Sequence, residues 1–121
     1  MKTTEYLIHR KIKDTDYCKF VSSENTVIEY KPIVLGVGLE FQVSVIFSDN
    51  GKYPLSIEQA NKNLGFQTGN EIAIGLLEGD DIICMDISSG AIYFWLIENG
   101  DGEKIRIASS FKKFIELISV D

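Results

Sequence analysis

Residues 79–102 read GDDIICMDISSGAIYFWLIENGDG. Two apolar runs, DIICMDI at 81–87 and AIYFWLI at 91–97, flank a Ser-Ser-Gly turn that places glycine where a three-residue hairpin loop takes a left-handed residue. The stretch is a β-hairpin. EIAIGLL at 71–77 adds a strand before it through a short Gly-Asp connection, and KIRIA at 104–108 adds one after the loop ENGDGE. Together they form an antiparallel meander. Both alternating faces of the hairpin are largely apolar: Ile83, Met85 and Ile87 against Ile82 and Cys84, then Ile92, Phe94 and Leu96 against Tyr93 and Trp95. A sheet with one wet face does not need this, so helix or chain is expected to cover both sides in part.

Outward from the meander, ASSFKKFIELISVD at 108–121 spaces Phe111, Phe114, Ile115 and Ile118 at i, i+3, i+4 and i+7 behind Ser109 or Ser110 as N-cap. That predicts a helix docking by an aromatic stripe. Upstream, Ser56 with Gln59 three residues on, Leu55 placed to staple onto Ala60, and Gly65 as a stop predict a short helix at about 57–64. EFQVSVIF at 40–47 puts Phe41, Val43, Val45 and Phe47 on one face, the period-2 pattern of a strand, and SDNGK turns the chain after it. EYLIHR at 5–10 and YCKFVS at 17–22 read as short strands separated by the polar turn KDTD. TVIEY at 26–30 alternates weakly, and in PIVLGVG at 32–38 the two glycines suggest a bulge or a close backbone approach. Pro32 and Pro54 stand at breaks between segments. The expected fold is α+β, a mostly antiparallel central sheet with a C-terminal meander and at least two packed helices.

The chain has 121 residues, the size of one domain, with 45% apolar and 25% charged residues, ordinary globular proportions. No apolar run approaches a membrane span, and MKTTEYLIHRKIKD lacks the apolar core of a secretory signal, so a cytoplasmic location is expected, away from membranes. Only two cysteines, Cys18 and Cys84, fit that compartment, and Cys84 reads as a buried thiol.

The net charge of −6 is unevenly distributed. Residues 1–62 hold eight Lys/Arg and eight Asp/Glu; residues 63–103 hold no base and eight acids. Those acids are Glu71, Glu78, Asp80, Asp81, Asp86, Glu98, Asp101 and Glu103. Phosphate contacts are made chiefly by Lys and Arg, so direct nucleic-acid binding is disfavoured, and an acidic face suits a basic protein or a cation. Catalytic signatures are absent: the one histidine, His9, sits between Ile8 and Arg10, and no nucleophile elbow, phosphate loop or HExxH motif occurs. Asp80, Asp81 and Asp86 are hard oxygen donors, but ENGDGE lacks the spacing of a calcium loop and no His-Cys cluster suits zinc. Neither a cofactor nor a metal is expected.

Gly79, Asp80, Ile83, Cys84, Asp86, Gly90, Tyr93, Phe94 and Trp95, followed by Ala108, Ser109, Ser110, Phe111 and Phe114, form an ordered set. In it the chain resembles the SUKH superfamily, named partly for yeast cell-wall-synthesis regulators of the Smi/Knr type. The resemblance is clearest over 71–118 of a single domain spanning 1–121, and residues 1–40 diverge: the family's opening helix and Leu-Pro motif are not found there. After the tryptophan, Leu96 and Ile97 stand where members commonly carry Asp-His-Glu. The resemblance implies a non-enzymatic bacterial immunity protein whose partner is a cognate toxin, often a nuclease or deaminase. Such toxins bind nucleic acid and tend to be basic, which agrees with the acidic block.

The candidate partner-binding residues are therefore Asp80, Asp81, Asp86, Glu98, Asp101 and Glu103 for charge, and Tyr93 and Trp95 as aromatic anchors. All but Tyr93 have a local alternative. Asp86 is placed to close the Ser-Ser-Gly turn, the other acids to solvate turns, and Trp95 to pack in the core or at a half-buried edge. A regulatory protein-interaction scaffold and a small ligand-binding domain remain the competing functions.

Overall fold

The computed structural model describes residues 3–22, 29–35, 38–47, 56–98 and 100–118. Among them are four helices and six strands: α1 (Thr3–His9), α2 (Thr15–Ser22), β1 (Glu29–Val34), β2 (Glu40–Ile46), α3 (Ile57–Leu64), β3 (Glu71–Leu77), β4 (Ile82–Asp86), β5 (Ile92–Leu96), β6 (Glu103–Ala108) and α4 (Phe111–Leu117). The strands lie in one sheet in chain order, each antiparallel to its neighbour. The α+β meander expected from the sequence is the observed fold.

The two N-terminal segments read as strands are helices, α1 and α2. Their buried residues, Tyr6 and Leu7 with Arg10 just past the first helix and Tyr17, Phe20 and Val21 in the second, fall at helical i, i+3 and i, i+4 spacings. The polar stretch between them is a cap: Asp14 Oδ1 accepts from Tyr17 N–H at 2.9 Å, an N-cap signal three residues before the aromatic. β-branched and aromatic content outweighed that signal in so short a segment. Pro32 also lies inside a strand; β1 is a sheet edge, where a residue without an N–H is tolerated. Gly36, the SDNGK turn, Pro54 and the Leu55 staple fall outside the described residues.

Elsewhere the local chemistry acts as the sequence suggests. Ser56 Oγ accepts from Gln59 N–H at 3.1 Å, and Gly65 ends α3 at φ 85°. Ser110 caps α4 by accepting from Lys113 N–H at 3.2 Å.

The sheet curls strongly. Phe41 of β2 reaches Phe94 of β5, three strands away, with ring centroids 5.1 Å apart, and Phe114 of α4 meets Phe94 edge-on from 6.1 Å. Phe111 carries the aromatic contact on to Tyr17 and Phe20 of α2. The concave side is thus filled by α4 and α2. At the far edge Ile118, just past α4, forms an antiparallel bridge to Ile33 of β1. On the other face of β5, Phe66 follows α3 and meets Trp95 edge-on at 5.3 Å. Both sides of the hairpin are covered in part.

Close approach and polar substitution shape β3. A Cβ on Gly75 would collide with the backbone oxygen of Val45, so glycine permits the tight β2–β3 crossing beside the bulge. Beyond the last β2 contact, Phe47 N–H to Ile74 O at 2.8 Å, the buried Asn61 of α3 takes the place of a strand. Its amide accepts from Ala73 N–H at 2.7 Å and donates to Ala73 O at 2.9 Å. Asn61→Leu leaves both backbone groups buried without partners, which should lower stability by about 2–5 kcal/mol in urea unfolding. A loss under about 1 kcal/mol would show that Asn61 is not what completes the sheet there.

Candidate functional site

In a consecutive antiparallel sheet the β1–β2, β3–β4 and β5–β6 turns share one end. That end gathers the acids. Glu40 opens β2, Glu78 and Asp80 lie in the β3–β4 turn, and Glu98, Asp101 and Glu103 belong to the β5–β6 loop and its return; all six side chains are exposed. Between them lies a cleft of about 290 Å³ lined by Glu40, Phe41, Gln42, Leu77, Glu78, Asp81 and Leu96. Val34, Leu39 and Ile97, exposed apolar side chains, stand at the same end.

Asp81 borders the cleft but is buried and does not join the exposed acids. It is 3% exposed, and its Oδ1 accepts from Glu98 N–H at 2.7 Å, tying the β5–β6 loop to the start of β4. Its role is to hold two acidic turns in register. Asp80 sits at φ 70°, a left-handed conformation that Asp tolerates better than most non-glycine residues.

Trp95 is half-buried. Its Nε1–H donates to Gly102 O at 2.9 Å, so the indole fixes the second half of the β5–β6 loop. Its ring lies 4.8 Å from Lys104 Nζ, and Lys104 also pairs with Glu71 at 2.8 Å. Tyr93, half-buried on the same face, lies 6.0 Å from that ammonium. Beneath them Cys84 is fully buried and donates to Glu71 Oε2 at 3.4 Å; burial first, then the Glu71 charge, pushes its thiol up to about 12. A thiol held neutral this firmly is a packing group.

Asp86 is separated from the other acids. It ends β4 at the opposite end of the sheet, where its Oδ1 accepts from Ser89 N–H at 2.9 Å and from Ser89 Oγ at 3.1 Å. It closes the Ser-Ser-Gly turn. Glu40 was missed because it lies 38 residues before Glu78 and only the strand order brings the two together. Among the described residues no group of three or more His, Cys, Asp or Glu is placed to hold a metal ion, and no helix is long and apolar enough to cross a membrane. His9 is exposed at the end of α1.

Fold and site define a small α+β chain: a curled six-stranded meander, helices in its concave side, acids at one end. The model of the SMI1 / KNR4 family (SUKH-1) matches residues 12–117, and the chain belongs to that family. The match extends upstream of the meander through α2, β1, β2 and α3, well beyond the residues that carry the resemblance in sequence. No curated protein and no solved structure matches the chain.

The Asp86 turn gives a pH signature. Hydrogen bonds, first from Ser89 N–H, hold its carboxyl below the ordinary carboxylate value. A depressed folded pKa adds stability that is present above the unfolded value of about 4 and is lost as pH falls through the folded one. Asp86→Asn should therefore lower the melting temperature at neutral pH and flatten its fall below about pH 4. Equal acid limbs for the two proteins would refute the assignment.

Proposed function

We propose that the chain is a non-enzymatic immunity-type protein that binds and neutralises a cognate basic toxin through the acidic end of its sheet. One observation carries the reading: exposed Glu40 and Glu78, 38 residues apart in sequence, line one cleft with Phe41, Leu77 and Leu96, at the sheet end that also carries Asp80, Glu98, Asp101 and Glu103. Membership of the SMI1 / KNR4 family supports an immunity-type or related role. A toxin that acts on nucleic acid must present Lys and Arg to phosphates, and a rigid acidic surface competes for the same side chains. Complementary charge also speeds encounter, a benefit that salt removes.

In this reading Glu40, Glu78, Asp80, Glu98, Asp101 and Glu103 attract the partner, and Val34, Leu39 and Ile97 supply apolar contact area among them. Asp81 and Trp95 act through the loop they hold. Tyr93 and the exposed part of Trp95 extend the surface as anchors, and Asp86 stands outside it.

The test is co-expression with the toxin domain encoded beside the gene, scored by growth and by co-purification. Growth with a stable complex is expected. The triple variant Glu98→Lys, Asp101→Lys, Glu103→Lys should bind about tenfold or more weaker and lose much of its salt dependence. Asp80 is better changed to Asn, since Asn also tolerates the left-handed backbone. Unaltered affinity and salt dependence in the triple variant would reject the acidic surface, and continued killing with no complex would reject toxin binding.

A further inference from the structure

The opposite end of the sheet carries a positive cluster. Arg10, at the end of α1, is only 7% exposed, yet among the described residues its guanidinium meets only neutral oxygens. These are Tyr6 Oη at 2.7 Å, Phe66 O at 2.6 Å, Gly69 O at 3.4 Å and Glu71 O at 2.6 Å. A buried cation satisfied in hydrogen bonds but not in charge stabilises any anion brought near it. Lys11, held at φ 62°, and Lys13 are exposed beside it. Among the described residues, none of the three cations has a carboxylate within ion-pair distance.

The neighbouring acids are held by hydrogen bonds, Asp86 at the cleft's edge by Asn70 and Ser88 as well as Ser89. Asp14 accepts from Tyr17 N–H at 2.9 Å and Phe111 N–H at 3.5 Å, while Asp86 is held by Ser89. Arg10, Lys11 and Lys13 line a cleft of about 310 Å³ with Gly69, Asn70, Ile87 and Ser88. There the Ser88 hydroxyl donates to Asn70 Oδ1 at 2.7 Å, and the NH₂ end of that amide is turned to the Asp86 carboxylate. Two exposed lysines, the guanidinium behind them and an apolar wall at Ile87 suit a multi-oxygen anion with a small organic body, and the volume is at the lower end for small-ligand pockets.

We propose that this cleft is a binding site for a phosphate group, free or as the monoester of a small molecule. Lys11 and Lys13 contact the phosphate oxygens as mobile point charges, and buried Arg10 supplies fixed positive potential behind them. The site lies at the end of the sheet remote from the acidic cleft, so it stands or fails independently of toxin binding.

The test is a backbone-amide NMR titration of the full chain with inorganic phosphate and, separately, ribose 5-phosphate, against sodium chloride at matched ionic strength. Saturable shifts at Lys11, Gly69, Asn70 and Ser88 are expected with phosphate and not with chloride. Lys11→Gln/Lys13→Gln, both at exposed positions, should raise Kd about tenfold. Tighter binding of ribose 5-phosphate would assign a phosphorylated small molecule, and equal binding would assign free phosphate. Absence of saturable shifts at the cleft with both probes, or an unchanged Kd in a folded double variant, would overturn the site.

Discussion

Strict antiparallel order in a six-stranded sheet forces alternate turns to the same end, and the rest of this structure depends on that constraint. The turns before β2, β4 and β6 converge, so an acid-rich but linear distribution becomes one acidic end. Curling completes the gathering. Because Phe41 and Phe114 both pack on Phe94, the sheet wraps α4 and brings the first strands round toward the fifth. Aromatic burial in the concave side thereby sets the spacing of charges at the rim.

Two polar links turn that geometry into a defined surface. The buried Asp81 carboxylate holds Glu98 N–H, and the Trp95 indole holds Gly102 O, so the acidic loop is fastened at both ends. Asn61 does the same for the sheet, completing the edge of β3 where β2 departs. A residue that looks like a surface acid or a helix polar in sequence can thus be an internal fastening, with its charge or amide directed at backbone. The opposite end follows another logic: Asp86 closes a turn, Asp14 caps α2, and among the described residues Arg10, Lys11 and Lys13 have no carboxylate within ion-pair distance.

The meander, α3 and α4 were legible because each announces itself locally: period-2 runs, Ser caps, and glycine at turns and helix ends. Residues 5–10 and 17–22 were not, since each helix is barely two turns and its aromatic, β-branched content mimics a strand. Their tertiary contacts, Tyr17 on Phe111 and Arg10 on the 66–71 turn, decide the outcome and are invisible in a linear reading. The acidic block was legible as composition. That Asp81 is buried, that Asp86 lies at the other end and that Glu40 joins the cluster follow only from topology.

Hydrogen–deuterium exchange of the chain alone and in complex with the proposed toxin partner tests the central claim most directly. New protection should appear together in the β3–β4 turn at 78–81 and the β5–β6 loop at 97–103, with the turn at 86–90 unchanged. Protection confined to 86–90, or to the α2 and α4 surface, would place the partner away from the acidic end and contradict the account.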